Sequence, residues 1–122
     1  RDGTLAGLLL LEMMVKEKKN LKQLLDDMEQ EFGRYYYLRA DVDIHVDRAK
    51  IMALRNTKKL LGKKVVEVKD YDGLKLICED ESWLMFRPSG TEPLVRAYSE
   101  APSLKRSQAL IAHGAKLLRR LA

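Results

Sequence analysis

A single cysteine, Cys78, leaves the chain without an internal disulfide. Core packing and hydrogen bonds must therefore hold it together, and a reducing, cytoplasmic setting is expected. Cys78 ends the apolar run Leu74-Lys75-Leu76-Ile77-Cys78, which marks it as a small buried hydrophobe and not a nucleophile. Histidine is nearly as scarce. His45 and His113 each stand outside any carboxylate or cysteine cluster of metal-ligand spacing, so no metal site is expected. No apolar run is long enough for a bilayer: Leu8-Leu9-Leu10-Leu11 stops at Glu12, so neither a membrane segment nor a signal peptide is expected. Aromatic residues make up 7% of the chain, and no aromatic-rich RNA-binding motif accompanies its net charge of +5. Lysine and arginine gather in segments 48–69 and 105–120. Such runs read as solvated helix faces, with a mild positive field that helps draw in an anion.

What is present is a regular alternation of elements. Asp2 can cap an apolar helix running to about Lys18, and Asn20 a second, with Leu21, Leu24, Leu25, Met28 and Phe32 at helical spacing and Gly33 to end it. Both stripes are expected to be core. From Tyr35 the pattern turns strand-like, and Val42, Ile44 and Val46 alternate with polar residues. Alternate rings of Tyr35-Tyr36-Tyr37 are expected to pack on the sheet, in preference to forming a stacking platform for bases or sugars. Asp47 can cap a helix over about 48–61, closed by Gly62. Strands follow around Val65–Val68, at Leu74–Cys78, at Trp83–Arg87 and at Leu94–Ser99, with Asp70-Tyr71-Asp72-Gly73 as a hairpin turn. Pro102-Ser103 announces a last helix over 104–121. The expected fold class is α+β: an antiparallel sheet of four to five strands with two helices packed on it, preceded by a helical segment. The boundary falls at Gly33-Arg34, giving segments 1–33 and 34–122.

One segment carries chemistry: Phe86-Arg87-Pro88-Ser89-Gly90-Thr91-Glu92-Pro93-Leu94-Val95-Arg96. Arg87 and Arg96 supply planar donor forks matched to phosphate oxygens. Ser89 and Thr91 add rotatable O–H donors. Gly90 lets the backbone turn, so that successive N–H groups can face one concavity as a small anion nest. Pro88 and Pro93 restrain the loop and reduce the entropy lost on binding. Glu92 would repel a phosphate if it faced inward, so it is expected to face outward and either to orient an arginine or to accept from a backbone N–H. His45 is expected to stay away from this loop. A phosphomonoester is the ligand these residues suit.

The same string resembles the phosphate-binding loop of the α-D-phosphohexomutases: Arg87-Pro88-Ser89-Gly90-Thr91-Glu92-Pro93, entered from Trp83-Leu84-Met85-Phe86 and left by Leu94-Val95-Arg96-Ala97-Tyr98-Ser99-Glu100-Ala101. Asp72-Gly73 upstream, and Arg1-Asp2-Gly3 before an apolar helix, extend the likeness. It implies a C-terminal, fourth domain of TATA-box-binding-protein-like fold, with 1–33 closing the domain before it. It also implies that Arg87, Ser89, Gly90, Thr91 and Arg96 contact the phosphate of a hexose phosphate, with Pro88, Glu92 and Pro93 shaping the loop. Such enzymes use a phosphoserine, Mg2+ held in an aspartate-rich loop, and a Glu-x-Ser-Gly loop that reads the sugar. None of those sequences occurs here. The resemblance therefore implies a non-catalytic piece, completed by other domains of the same polypeptide, and leaves the sugar unspecified. Pro88 favours the phosphoglucomutase/phosphomannomutase branch over phosphoglucosamine mutases, which more often carry Lys there. A reading of a different class, a small basic nucleic-acid-binding module, predicts affinity that falls steeply with salt.

Overall fold

The computed structural model describes residues 2–90 and 92–122, so Thr91 lies outside the described residues. The chain divides into two compact units, Arg1–Arg34 and Tyr35–Ala122. In the first, helix α1 (Gly3–Glu17) starts where Asp2 Oδ1 accepts the Leu5 N–H at 2.9 Å. Helix α2 (Leu21–Phe32) starts with a capping box, in which Asn20 and Gln23 each bond the other's backbone N–H at 2.9 Å. The apolar stripes expected to be core are not buried. Neither helix contains a buried residue, and Leu8 and Phe32 are 58% and 65% exposed. Within this unit α1 and α2 barely touch, so neither covers the other's apolar stripe.

The second unit runs β1 (Tyr36–Val42), α3 (Arg48–Ala53), β2 (Lys59–Leu60), β3 (Lys63–Lys69), β4 (Leu74–Cys78), β5 (Trp83–Pro88), β6 (Val95–Ala101) and α4 (Leu104–Leu121). The strands form one six-stranded antiparallel sheet in the order β1-β6-β5-β4-β3-β2. This is the α+β fold expected, with one strand more than the upper count.

The extra strand comes from a helix that stops early. The helix expected over 48–61 ends at Ala53, and a 3-10 turn carries the chain only to Asn56. Leu61 and Gly62 both have positive φ, 48° and 85°. That is the backbone of a two-residue hairpin turn, so Gly62 joins β2 to β3 and ends no helix. Burial of Leu60, 1% exposed, holds β2 in place. The alternation Val42, Ile44, Val46 likewise outruns its strand, since β1 ends at Val42.

Strand residues alternate between two faces. Leu74, Leu76 and Cys78, Leu84 and Phe86, and Val95 and Ala97 point to one face and are buried with Ile51 of α3 and with Leu110 and Leu118 of α4. Burial pushes the Cys78 thiol above its ordinary pKa, as suits a core residue. Helix α4 approaches β5 closely. A Cβ at Gly114 would lie 2.8 Å from Leu84 Cδ1 and 3.2 Å from Phe86 Cε1. The other face carries Tyr37, Trp83, Met85, Arg87, Arg96 and Tyr98. Tyr37 lies 6.1 Å from Tyr98 and 6.2 Å from Trp83 between ring centroids. Trp83 is pinned by a 3.0 Å bond from Nε1 to Glu100 and by Lys75 Nζ, 3.7 Å above its ring.

Candidate functional site

The sheet delivers the loop between β5 and β6. Pro88, opposite Val95, ends the ladder because it has no N–H to donate. Beyond it the loop closes on itself. Ser89 N–H donates to the Leu94 carbonyl (3.0 Å), Leu94 N–H to the Glu92 carbonyl (2.8 Å) and Glu92 N–H to Ser89 Oγ (3.3 Å). These bonds change the expected nest, because the N–H groups of Ser89 and Glu92 are used within the loop. The reason expected for Gly90 changes too. Gly90 does not have positive φ, and a Cβ there would meet nothing within 4 Å. What its missing side chain leaves is bare backbone at the mouth of the site.

Arg87 and Arg96 are Cα partners across β5 and β6, so two guanidiniums share one face of the sheet at the loop's base. Like charges placed opposite each other destabilise a sheet. Here each has an anionic neighbour. Arg87 Nη2 lies 3.4 Å from Asp72 Oδ1, and Arg96 Nη2 lies 3.1 Å from Glu92 Oε2. Asp41 is the partner of Arg96 on the β1 side. Hydrogen bonds from Arg39, at 2.7 and 2.5 Å, hold the Asp41 carboxyl below the usual carboxylate range, and the charge of Arg96 adds to the effect. Glu92 thus orients an arginine. The Arg96 Nε–H is buried and has no hydrogen-bond partner among the described residues.

Two depressions meet at Ser89 and Gly90. One, of about 300 Å³, is bounded by Arg48, Asp72, Gly73 and Arg87 with those two loop residues. The other, of about 310 Å³, includes His45, Glu92 and Pro93. The structure therefore brings His45 to the loop, contrary to expectation. Once β1 ends at Val42, residues 43–47 run past the loop, and Arg48 follows at the start of α3. Neither His45 nor Arg48 stands near the motif in sequence, and only the pairing of β1 with β6 beside β5 puts them there. Among the described residues no group of three or more His, Cys, Asp or Glu side chains could hold a metal ion. No helix of the described residues is long and apolar enough to cross a membrane.

Residues 12–116 match the family model described as phosphoglucomutase/phosphomannomutase, C-terminal domain. The chain is 32% identical over 118 residues to a phosphoglucomutase/phosphomannomutase of Thermococcus kodakarensis, covering 97% of the chain and 24% of that protein. It is 35% identical over 121 residues to a phosphoglucosamine mutase of Methanococcus aeolicus, covering 97% of the chain and 25% of that protein. A phosphopentomutase of Thermococcus kodakarensis is 33% identical over 89 residues, 70% of the chain and 20% of that protein. The chain thus spans about a quarter of the length of the first two of these relatives.

Proposed function

Because the chain belongs to the phosphoglucomutase/phosphomannomutase family, as a C-terminal domain, we propose that it grips the substrate's phosphate in a phosphohexomutase, an isomerase that interconverts hexose 1-phosphate and hexose 6-phosphate. The observation that carries this is the pair Arg87 and Arg96, side by side on the sheet with Asp72, Glu92 and Asp41 only at its flanks. A phosphate dianion between the two forks would relieve their repulsion and take charge-assisted hydrogen bonds from both. Ser89 and Thr91 supply hydroxyl donors, and Gly90 lets the ligand approach the backbone. Pro88 and Pro93 limit the loop's freedom before binding.

In this reading the phosphate held here is the one not being transferred. Gripping it orients the sugar toward a phosphoserine elsewhere in the polypeptide, so that remote binding energy serves the reacting end. Substrate must bind in two orientations if phosphate moves between two positions, so the loop should recognise phosphate and not the ring. That the relatives are named for different sugars is in keeping with this. The phosphoserine, the sugar-reading loop and any Mg2+ belong to other domains of a cytoplasmic enzyme, and this domain alone should be inactive. We read residues 1–33 as the end of the preceding domain, which would cover the exposed leucines of α1. The identity of 35% to a phosphoglucosamine mutase favours an amino-sugar phosphate as the second reading.

The test is a titration of glucose 1-phosphate, and separately of glucose, into the isotope-labelled chain while amide shifts are followed. Shifts confined to residues 87–96, seen only with the phosphosugar and lost in Arg87→Ala, are expected. Affinity should also weaken as pH falls through about 6, where a phosphomonoester takes up its second proton. Tight, salt-sensitive RNA binding with no loop response to millimolar phosphosugar would instead favour the nucleic-acid module. Gly90→Ala separates binding from folding. With open space around its Cβ, it should change unfolding free energy by no more than about 0.5 kcal/mol, yet weaken phosphosugar binding several-fold. Unaltered affinity would remove Gly90 from the site.

A further inference from the structure

We propose that Arg48 is a third cationic contact for the ligand's phosphate, reaching it from the start of α3. The inference rests on the reading of the β5–β6 loop as a phosphate site and extends that site beyond its motif. Arg48 bounds the same 300 Å³ depression as Arg87, Ser89 and Gly90. Its side chain is exposed, and among the described residues it makes no hydrogen bond or ion pair. Most other arginines of this unit differ: Arg39, Arg55, Arg87, Arg96 and Arg106 each have a carboxylate within 4 Å. The charges in the depression leave a surplus. Asp72 offsets Arg87, and Arg48 remains without a counterion.

The backbone beneath Arg48 is nevertheless fixed. Asp47 Oδ1 accepts the Ala49 N–H at 2.9 Å, Ile51 is 1% exposed in the core, and Lys50 Nζ donates to the Leu121 carbonyl at 2.9 Å. A long side chain with a free fork thus stands on a rigid base beside the loop. The volume of the depression is at the small end for ligand sites. It suits a phosphate and its adjoining carbon, with the ring projecting outward. A second guanidinium in the depression beside that of Arg87 would favour a dianionic phosphomonoester over a singly charged anion.

The experiment uses the full 122-residue chain with inorganic phosphate as probe, following loop amides together with the arginine Nε–H signals. The Arg48 Nε–H should shift in step with the amides of Ser89 and Gly90. Arg48→Gln should weaken binding about tenfold, the loss of one charge-assisted contact, while sheet amides stay unmoved and Arg48→Lys restores part of the affinity. Lys50→Gln removes the same charge from the same helix at a side chain directed to Leu121, and should have little effect. An equal loss in Lys50→Gln would mean that Arg48 acts only through net charge, and would overturn the proposal. Loop amides that respond while the Arg48 signal does not would also overturn it, leaving the loop reading intact. If neither responds, the loop reading itself falls, and the proposal with it.

Discussion

Arg106→Ala should lower the unfolding free energy of the sheet unit by about 3 kcal/mol, more than any change to an exposed arginine of the loop. From α4 this guanidinium donates to Ser82 Oγ (3.2 Å), to the Leu61 carbonyl (3.0 Å) and to the Leu60 carbonyl (2.9 Å), and lies 3.4 Å from Asp80. One fork thereby joins the β2–β3 turn, the β4–β5 turn and the last helix. The site is nearly closed: the Arg106 side chain is 16% exposed, and Ser82 and Leu60 are buried. Truncation would leave acceptors without donors and the Asp80 carboxylate without its cation. Burial pushes the Asp80 carboxyl up, but the Ser82 hydroxyl and the charge of Arg106 outweigh it, so the net shift is downward. A carboxyl depressed in the folded state adds stability above its unfolded pKa of about 3.9, and that stability is lost as pH falls through the folded value. The variant should therefore also show a flatter acid limb. Arg106→Lys keeps the charge but not the fork, and should recover only part of the loss. Trp83 is the only tryptophan, so its fluorescence during urea unfolding reads this unit directly. A loss below about 1 kcal/mol would show that water replaces the fork at little cost.

Arg106 also marks where the sequence stopped being legible. The loop could be read because its parts lie within eleven consecutive residues and each has its own chemical reason. The strands β4, β5 and β6 could be read because their apolar residues alternate, and α4 because Ser103 caps it, accepting the Arg106 N–H at 3.2 Å. The short β2 could not. Lys59-Leu60 carries no pattern of its own, and only the positive φ of Leu61 and Gly62 with the burial of Leu60 make it a strand. Helical spacing through Ile51 and Leu54 continued into Leu61, so periodicity favoured a longer helix there. Arg48 and His45 were hidden for a related reason. Their place beside the loop depends on strand order, which brings β6 between β1 and β5 and is not written in any local spacing. The stripes of α1 and α2 were read correctly as helical. Their burial could not be, since a stripe says which face is apolar and not what covers it.

Gly73→Ala should have the largest effect on the site's architecture, destabilising the unit by about 4 kcal/mol, from backbone strain and overpacking together. Gly73 has φ 120°, a conformation that L residues rarely adopt. A Cβ there would lie 2.4 Å from the Phe86 carbonyl oxygen and 3.3 Å from the Arg87 Cα. Backbone cannot swing aside as the end of a side chain can, so either the β3–β4 turn or β5 must move. Both choices reach the loop. Moving the turn takes Asp72 from its 3.4 Å approach to Arg87, and moving β5 shifts Arg87 itself against Arg96. Any folded population of Gly73→Ala should therefore bind phosphosugar more weakly as well as unfold more easily, whereas Gly90→Ala loses affinity alone. Urea unfolding followed at Trp83, paired with a phosphate titration of both variants below their transitions, separates the two glycines. A Gly73→Ala variant as stable as its parent would mean that the turn does not press on β5 at Phe86. A destabilised one with undiminished affinity would mean that this packing does not set the position of Arg87.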